Sequence, residues 1–140
     1  MTASFAVQRR VEFRDTDAAG IAHFTAFFGY MEEAEHALLR ACGSSVVVRE
    51  ADHTISWPRV SANCDFSGSA QFEEEVTVEV MVERLGEKSV TYGFRFVCRD
   101  TEIATGTITS VCCRLEAHQP PQSIAIPAEL AERLKAHRRR

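Results

Sequence analysis

Two carboxylates, Asp15 and Asp17, stand in the stretch Val11-Glu12-Phe13-Arg14-Asp15-Thr16-Asp17-Ala18-Ala19-Gly20-Ile21-Ala22-His23-Phe24. Here a strand-like run gives way to small residues and then to a periodic helix. Carboxylates two residues apart in an extended turn can face the same way, so spacing alone does not rank them. Gly20 is free to take positive φ where the backbone bends. A helix start just beyond presents N–H groups and a partial positive charge. A carboxylate beside such donors suits acyl chemistry. The acid attacks a carbonyl carbon or deprotonates water, and the N–H groups hold the developing oxyanion. The same aspartates would equally serve to cap the turn and the helix.

Other chemistries lack their residues. There is no G-x-S-x-G elbow, no H-E-x-x-H and no phosphate-cradling loop. Five cysteines (Cys42, Cys64, Cys98, Cys112, Cys113) form no C-x-x-C, which argues against a disulfide framework and a zinc site and for free thiols in a reducing cytosol. A net charge of −4 argues against general nucleic-acid binding. The basic tail Lys135, Arg138, Arg139 and Arg140 reads as a solvated terminus or as an anion contact. No apolar run approaches the ~20 residues of a membrane helix. Met1 to Val7 lacks the pattern of a secretory signal, so a cytoplasmic protein with no membrane partner is expected.

The elements that must position the aspartates follow from periodicity. The 140 residues fit a single domain, 1–140, with its core at about 5–115. Phe5 to Phe13 alternates as a first strand, and the loop Arg14 to Ala22 follows. From Phe24 the period becomes helical through Phe27, Phe28, Met31, Ala34, Leu38, Leu39 and Cys42, with Gly43 placed to end the helix. Val46 to Val48 is a short strand or a packed loop. Strands are expected in His53–Ser67, around Val76–Val82, at Val90–Cys98 and over Ile103–Leu115. A short helix at about 128–137 closes the chain. One strand, one long helix and four strands joined by short turns imply an α+β fold, an antiparallel sheet wrapped around the central helix. Such a sheet leaves edges that a second copy would cover.

The segment Asp15 to Phe24, followed by Phe27-Phe28-Gly29-Tyr30-Met31-Glu32, resembles the signature of the 4-hydroxybenzoyl-CoA thioesterase family of hotdog-fold acyl-CoA thioesterases, D-x-D-x-x-G-I/V-x-[YWH]-[YF]. The likeness runs from about Val7 to Leu115. Val60-Ser61-Ala62-Asn63-Cys64-Asp65-Phe66 is similar to the strand that lines the family's acyl pocket, and Lys88-Ser89 to a pair at a later strand start. The resemblance implies hydrolysis of a small or medium acyl-CoA. It makes Asp17 the catalytic carboxylate, and Gly20, Ile21, His23, Phe24 and Asn63 oxyanion- and substrate-binding residues. Arg59 and Lys88 would meet the CoA phosphates. It also implies a dimeric or tetrameric homo-oligomer with an intersubunit cleft, no metal, and no cofactor beyond the coenzyme A of the substrate. This sequence departs from the pattern at Ala18, where a proline is common, at Thr25 or Ala26, where an asparagine is common, and at Gly86 and Glu87, which replace basic residues.

Two other carboxylate arrangements remain. Glu32, Glu33 and Glu35 lie on the helix, where a second branch of hotdog thioesterases keeps its acid; a solvated face or an oligomer contact is the plainer role. A non-catalytic acyl-CoA or acyl-carrier-protein binding module is the alternative function. A hotdog dehydratase would need a hydratase-type motif that is not seen.

Overall fold

The computed structural model describes residues 5–139. Strand β1 (Phe5–Arg10) enters a 3-10 turn (Phe13–Asp15) and an irregular loop, then helix α1 (Ala26–Ala41). The strands β2 (Val47–Arg49), β3 (Thr54–Ser56), β4 (Arg59–Phe66), β5 (Glu75–Leu85), β6 (Ser89–Cys98), β7 (Thr101–Val111), β8 (Cys113–Leu115) and β9 (Gln122–Ser123) follow. Helix α2 (Ala128–Lys135) comes last.

The long strands form one antiparallel sheet in the order β1-β5-β6-β7-β4, and the short ones a second in the order β2-β3-β8-β9. Alternation decides which face packs inward. Val76, Val78, Val80 and Val82 of β5 are fully buried, as are Val90, Tyr92 and Phe96 of β6. Against them lies the stripe of α1, where Phe27, Tyr30, Met31, Ala34, Leu38 and Leu39 are all buried. Gly106 of β7 makes this approach possible: a Cβ there would stand 2.6 Å from Met31 Sδ and 2.8 Å from the Asn63 carbonyl oxygen. Gly43 ends the helix with φ 77°. Its N–H donates to Arg40 O (2.9 Å), and the Ser44 N–H donates to Leu39 O (2.8 Å), the paired bonds of a left-handed helix stop.

Several boundaries differ from the sequence expectation. Phe13 is not on the first strand. Glu12 and Asp15 exchange capping bonds and wind the chain into the 3-10 turn, leaving Phe13 79% exposed. Phe24 stands before the helix and is also exposed. The stretch His53–Ser67 is two strands, because Pro58 has no N–H for a ladder. The chain changes sheets at Trp57-Pro58, where the Val111 N–H donates to Pro58 O (3.0 Å). Ile103–Leu115 likewise divides at Cys112, whose N–H donates to Lys88 O. Val47–Arg49 is a strand, and β9 had no signal in the sequence. The tail is not simply solvated: residues 137–139 lie along β5, with the Val82 N–H donating to His137 O and Arg139 ion-paired with Glu83. Arg140 lies outside the described residues.

An ion pair joins the helix to β4, the edge strand at one side of the long sheet. Glu35 is fully buried, and it accepts from Arg59 Nη2 and, at 3.0 Å, from Ser110 Oγ. Arg59 also bonds His36 Nε2 (3.1 Å) and Trp57 O (3.1 Å), so it seals the corner where β4 begins. Beyond that corner the apolar side of β4 is open. Val60 is 64% and Phe66 44% exposed.

Two measurements test this packing. Met31→Asp should cost on the order of several kcal/mol by burying an unpaired charge; an unchanged melting temperature would show that another face of α1 is buried. The second concerns Glu35. Burial pushes its carboxyl up, against the guanidinium of Arg59 and the bonds from Arg59 and Ser110 that pull it down. Above the ordinary glutamate value of about 4.3, the native state therefore holds a proton that the unfolded chain has released. Glu35's contribution to stability then falls as pH rises through that interval. The melting temperature of the parent relative to Glu35→Gln should fall as pH rises above about 4.3, the ordinary glutamate value; a difference that stays flat or grows would mean a carboxyl ionised at its ordinary value or below.

Candidate active site

The loop between the 3-10 turn and α1 is a small hairpin. Thr16 pairs with Ala22, the Asp17 N–H donates to Ile21 O (3.0 Å), and the His23 N–H donates to Asp15 O (2.7 Å). The tip closes when the Gly20 N–H donates to Asp17 O (2.9 Å), with Gly20 at φ 80°. Neighbouring chain holds the hairpin from outside. The Ala22 N–H donates to Ala70 O, the Phe72 N–H donates to Gly20 O, and Ile21 bridges Gln71.

The two aspartates part company in this hairpin. Asp15 is committed: its Oδ2 accepts the Glu12 N–H (2.9 Å) and the Tyr30 hydroxyl (3.0 Å), and Arg9 Nη2 stands 3.9 Å away. Asp17 accepts only the N–H of Ala19 (2.8 Å), on Oδ1. Its Oδ2 has no partner among the described residues. The side chain is half-buried, and the small Ala18 and Ala19 beside it are exposed.

The helix start is less generous than the sequence suggests. The Ala26, Phe27 and Phe28 N–H groups turn back onto the carbonyls of His23, Phe24 and Thr25. The Thr25 N–H donates to His23 Nδ1 (3.2 Å), so that ring nitrogen is an acceptor; the same atom lies 2.7 Å from Thr25 Oγ1. That leaves the Phe24 N–H, which has no partner among the described residues. It sits on the arm of the hairpin opposite Asp17, next to His23, whose ring stacks on Phe24 at 4.6 Å between centroids. No acidic residue occupies the first turn of α1, so its partial positive charge is not offset locally.

The remaining expected residues do not gather at this hairpin within one chain. Asn63 pairs with Thr107, and it lines a shallow polar depression with Asp65, Arg95 and Thr105. Alternation puts it on the sheet face away from α1, opposite to Ala62 and Cys64. Arg59 is engaged with Glu35. Lys88 is exposed in the β5–β6 turn, at the other end of the long strands from the hairpin. Of the helix acids, Glu33 pairs with Arg9 (2.8 Å), Glu35 is in the core, and Glu32 is exposed 3.7 Å from Arg59. Nothing in the sequence pointed to the contribution of Tyr30, which stands there only as part of the segment Phe27-Phe28-Gly29-Tyr30-Met31-Glu32.

No group of three or more metal-ligating side chains converges among the described residues, and none of their helices is long and apolar enough to cross a membrane. The arrangement offers a half-buried carboxylate with one free oxygen and, across a short hairpin, an unpaired N–H at a helix start. It can polarise a carbonyl and attack it, or activate water against it.

Comparison with known proteins points the same way. The model of the thioesterase-like superfamily matches residues 11–134. A 1,4-dihydroxy-2-naphthoyl-CoA hydrolase of Nostoc punctiforme is 23% identical over 136 residues, 97% of this chain and 90% of that one. A 4-hydroxybenzoyl-CoA thioesterase of Pseudomonas sp. strain CBS-3 is 30% identical over 94 residues, 64% of each chain. Among solved structures, a gentisyl-coenzyme A thioesterase superposes with a TM-score of 0.78 at 25% identity, covering 92% of this chain and 98% of its own. The sheet wrapped around a central helix is the hotdog fold that such thioesterases share.

Proposed function

The chain belongs to the thioesterase-like superfamily, and on that premise we propose that it hydrolyses the thioester of a small or medium acyl-CoA, with Asp17 as the catalytic carboxylate. The observation that carries this reading is the hairpin itself. Asp17 Oδ2 and the Phe24 N–H have no partner among the described residues, they lie on opposite arms, and the neighbouring acid Asp15 and the N–H groups of His23, Thr25 and Ala26 are already paired. With the thioester carbonyl oxygen at the Phe24 N–H, negative charge grows where a donor and the α1 dipole stabilise it. Asp17 then adds to the carbonyl carbon and expels the thiolate, leaving a mixed anhydride that water cleaves. Alternatively it takes a proton from the water that attacks. A thioester is already activated, so neither route calls for a metal. His23 and Ile21 flank the acyl group, and a CoA phosphate meets Lys88 of a second copy, since within one chain Lys88 lies at the far end of the long strands.

The site is open in one chain, and the apolar side of β4 is exposed. Both features support a homo-oligomer in which a second copy covers β4 and completes the cleft. The acyl groups named for the relatives are hydroxyaryl (1,4-dihydroxy-2-naphthoyl, 4-hydroxybenzoyl, gentisyl), which makes aryl-CoA thioesters the first substrates to assay.

Release of free thiol from a panel of aryl- and acyl-CoA thioesters tests the activity. Asp17→Asn should lower kcat by about 10²-fold or more with little change in KM or melting temperature. Asp15→Asn should loosen the fold more than it slows turnover. Near-normal kcat in Asp17→Asn, after mass spectrometry excludes deamidation, would remove Asp17 from the mechanism and move attention to Glu32. Binding of acyl-CoA with no turnover by the parent would leave a binding module instead. Light scattering should report a dimer or a higher even-numbered assembly; a fully active monomer would refute the shared cleft. Lys88→Ala should raise KM with little change in kcat, and a KM that does not move would return Lys88 to an ordinary surface role.

A further inference from the structure

Tyr30 is buried on the stripe of α1, yet its hydroxyl is not idle. It donates to Asp15 Oδ2 (3.0 Å), the oxygen that also takes the Glu12 N–H. The ring is held on two sides. Phe27 packs at 5.9 Å between centroids, and the Arg9 guanidinium stands 5.1 Å from the ring centroid, itself tied to Glu33. Burial and the Asp15 carboxylate both hold the phenol well above its usual range, so it stays a donor throughout the working pH range. Asp15 in turn touches both arms of the hairpin: Thr16 and Asp17 follow it in the chain, and its carbonyl oxygen accepts the His23 N–H (2.7 Å) next to Phe24.

We propose that Tyr30 is a positioning residue: its hydroxyl anchors Asp15 to the rigid helix and thereby sets the separation between Asp17 and the Phe24 N–H. The argument is one of connectivity. The tip of the hairpin is held by loop 70–72, which is irregular chain. On the helix side, the hairpin is joined to α1 through the backbone that runs into it and through Tyr30. The backbone route passes through Thr25, a helix cap with no side-chain bond to the helix. The Tyr30 route ends on a residue whose neighbours carry both reacting groups. A hydrogen bond from a buried, packed donor to a carboxylate is among the stronger and more directional contacts available. Loss of that anchor leaves the aspartate and the donor in place but lets their spacing vary, and catalytic rates fall steeply with such misplacement.

The catalytic part of this inference rests on the proposed thioester hydrolysis, so the test has one readout that depends on activity and one that does not. Tyr30→Phe keeps the ring and removes only the oxygen. Amide hydrogen exchange followed by NMR should show His23 and Asp17 exchanging about ten-fold faster in Tyr30→Phe, with the amides of β5 and β6 unchanged. Unchanged exchange at His23 and Asp17 would overturn the proposal whether or not the chain hydrolyses anything. In turnover of the best acyl-CoA, Tyr30→Phe should lower kcat about ten-fold while KM stays put. In an Asp15→Ala background the same change should have no further effect, because both act through one contact. Faster exchange with unchanged kcat would refute the catalytic role, and additive losses in the double variant would refute the route through Asp15. Where Asp15→Ala does not fold, the exchange pattern and the kcat-against-KM split of Tyr30→Phe alone decide. A parent with no turnover would sink the proposed function while the exchange result still judged the anchor.

Discussion

The structure depends on one close approach, that of α1 to the sheet at Gly106. The helix carries a stripe of apolar side chains too broad to leave in water, and the inner faces of β5, β6 and β7 supply the large apolar surface that covers it. Any side chain at position 106 would collide with the Met31 thioether and with the backbone of the neighbouring strand. Its absence lets the helix sink between the strands. The sheet then curls around it, and the edge strands fall where they do as a consequence.

The two ends of the helix are finished differently, and that asymmetry underlies the proposed site. At the C-terminal end the carbonyls of Leu38, Leu39, Arg40 and Cys42 all accept bonds. Gly43 and Ser44 close the last turn, and Arg133 of α2 donates to Cys42 O (2.9 Å). At the N-terminal end the first-turn donors bond backwards onto the entering chain, and the Phe24 N–H is left over. In the proposed reaction, the spare donor and the positive pole of the helix would meet the oxyanion. The hairpin that delivers Asp17 to this pole is built on Asp15, a carboxylate similar in type and adjacent in sequence but wholly spent on structure. Two acids two residues apart thus divide the work. The partners around each decide its role: Tyr30 and the Glu12 N–H for one, only its own loop for the other.

Arg59 shows the same division among the cations. Its charge alone would suit a phosphate, but a fully buried carboxylate lies beside it. Glu35 could not remain ionised in the core without a partner, and removing one member of such a pair costs more than the pair itself contributes. The guanidinium is therefore bound up with Glu35, His36 and the Trp57 carbonyl at the corner of the two sheets. Lys88 has no such partner among the described residues.

Periodicity alone determined the helix, its apolar stripe, its glycine stop and the alternating strands β5 and β6, because each is written in local spacing that burial on one face requires. The D-x-D-x-x-G stretch marked the candidate loop, with Asp17 singled out by the family resemblance rather than by spacing. What local spacing does not hold is the identity of partners distant in the chain. The split of the long strand candidates at Trp57-Pro58 and at Cys112 follows from a second sheet that only long-range pairing creates. The ranking of Asp15 against Asp17 by their hydrogen bonds depends on Tyr30, which is placed beside Asp15 by the packing of α1. Glu35 reads as a surface residue in its own helix and becomes a core residue because Ser110 and Arg59, 75 and 24 residues further on, meet it there. Tertiary structure decided these points because a buried polar group must find its partner wherever the fold brings one within reach.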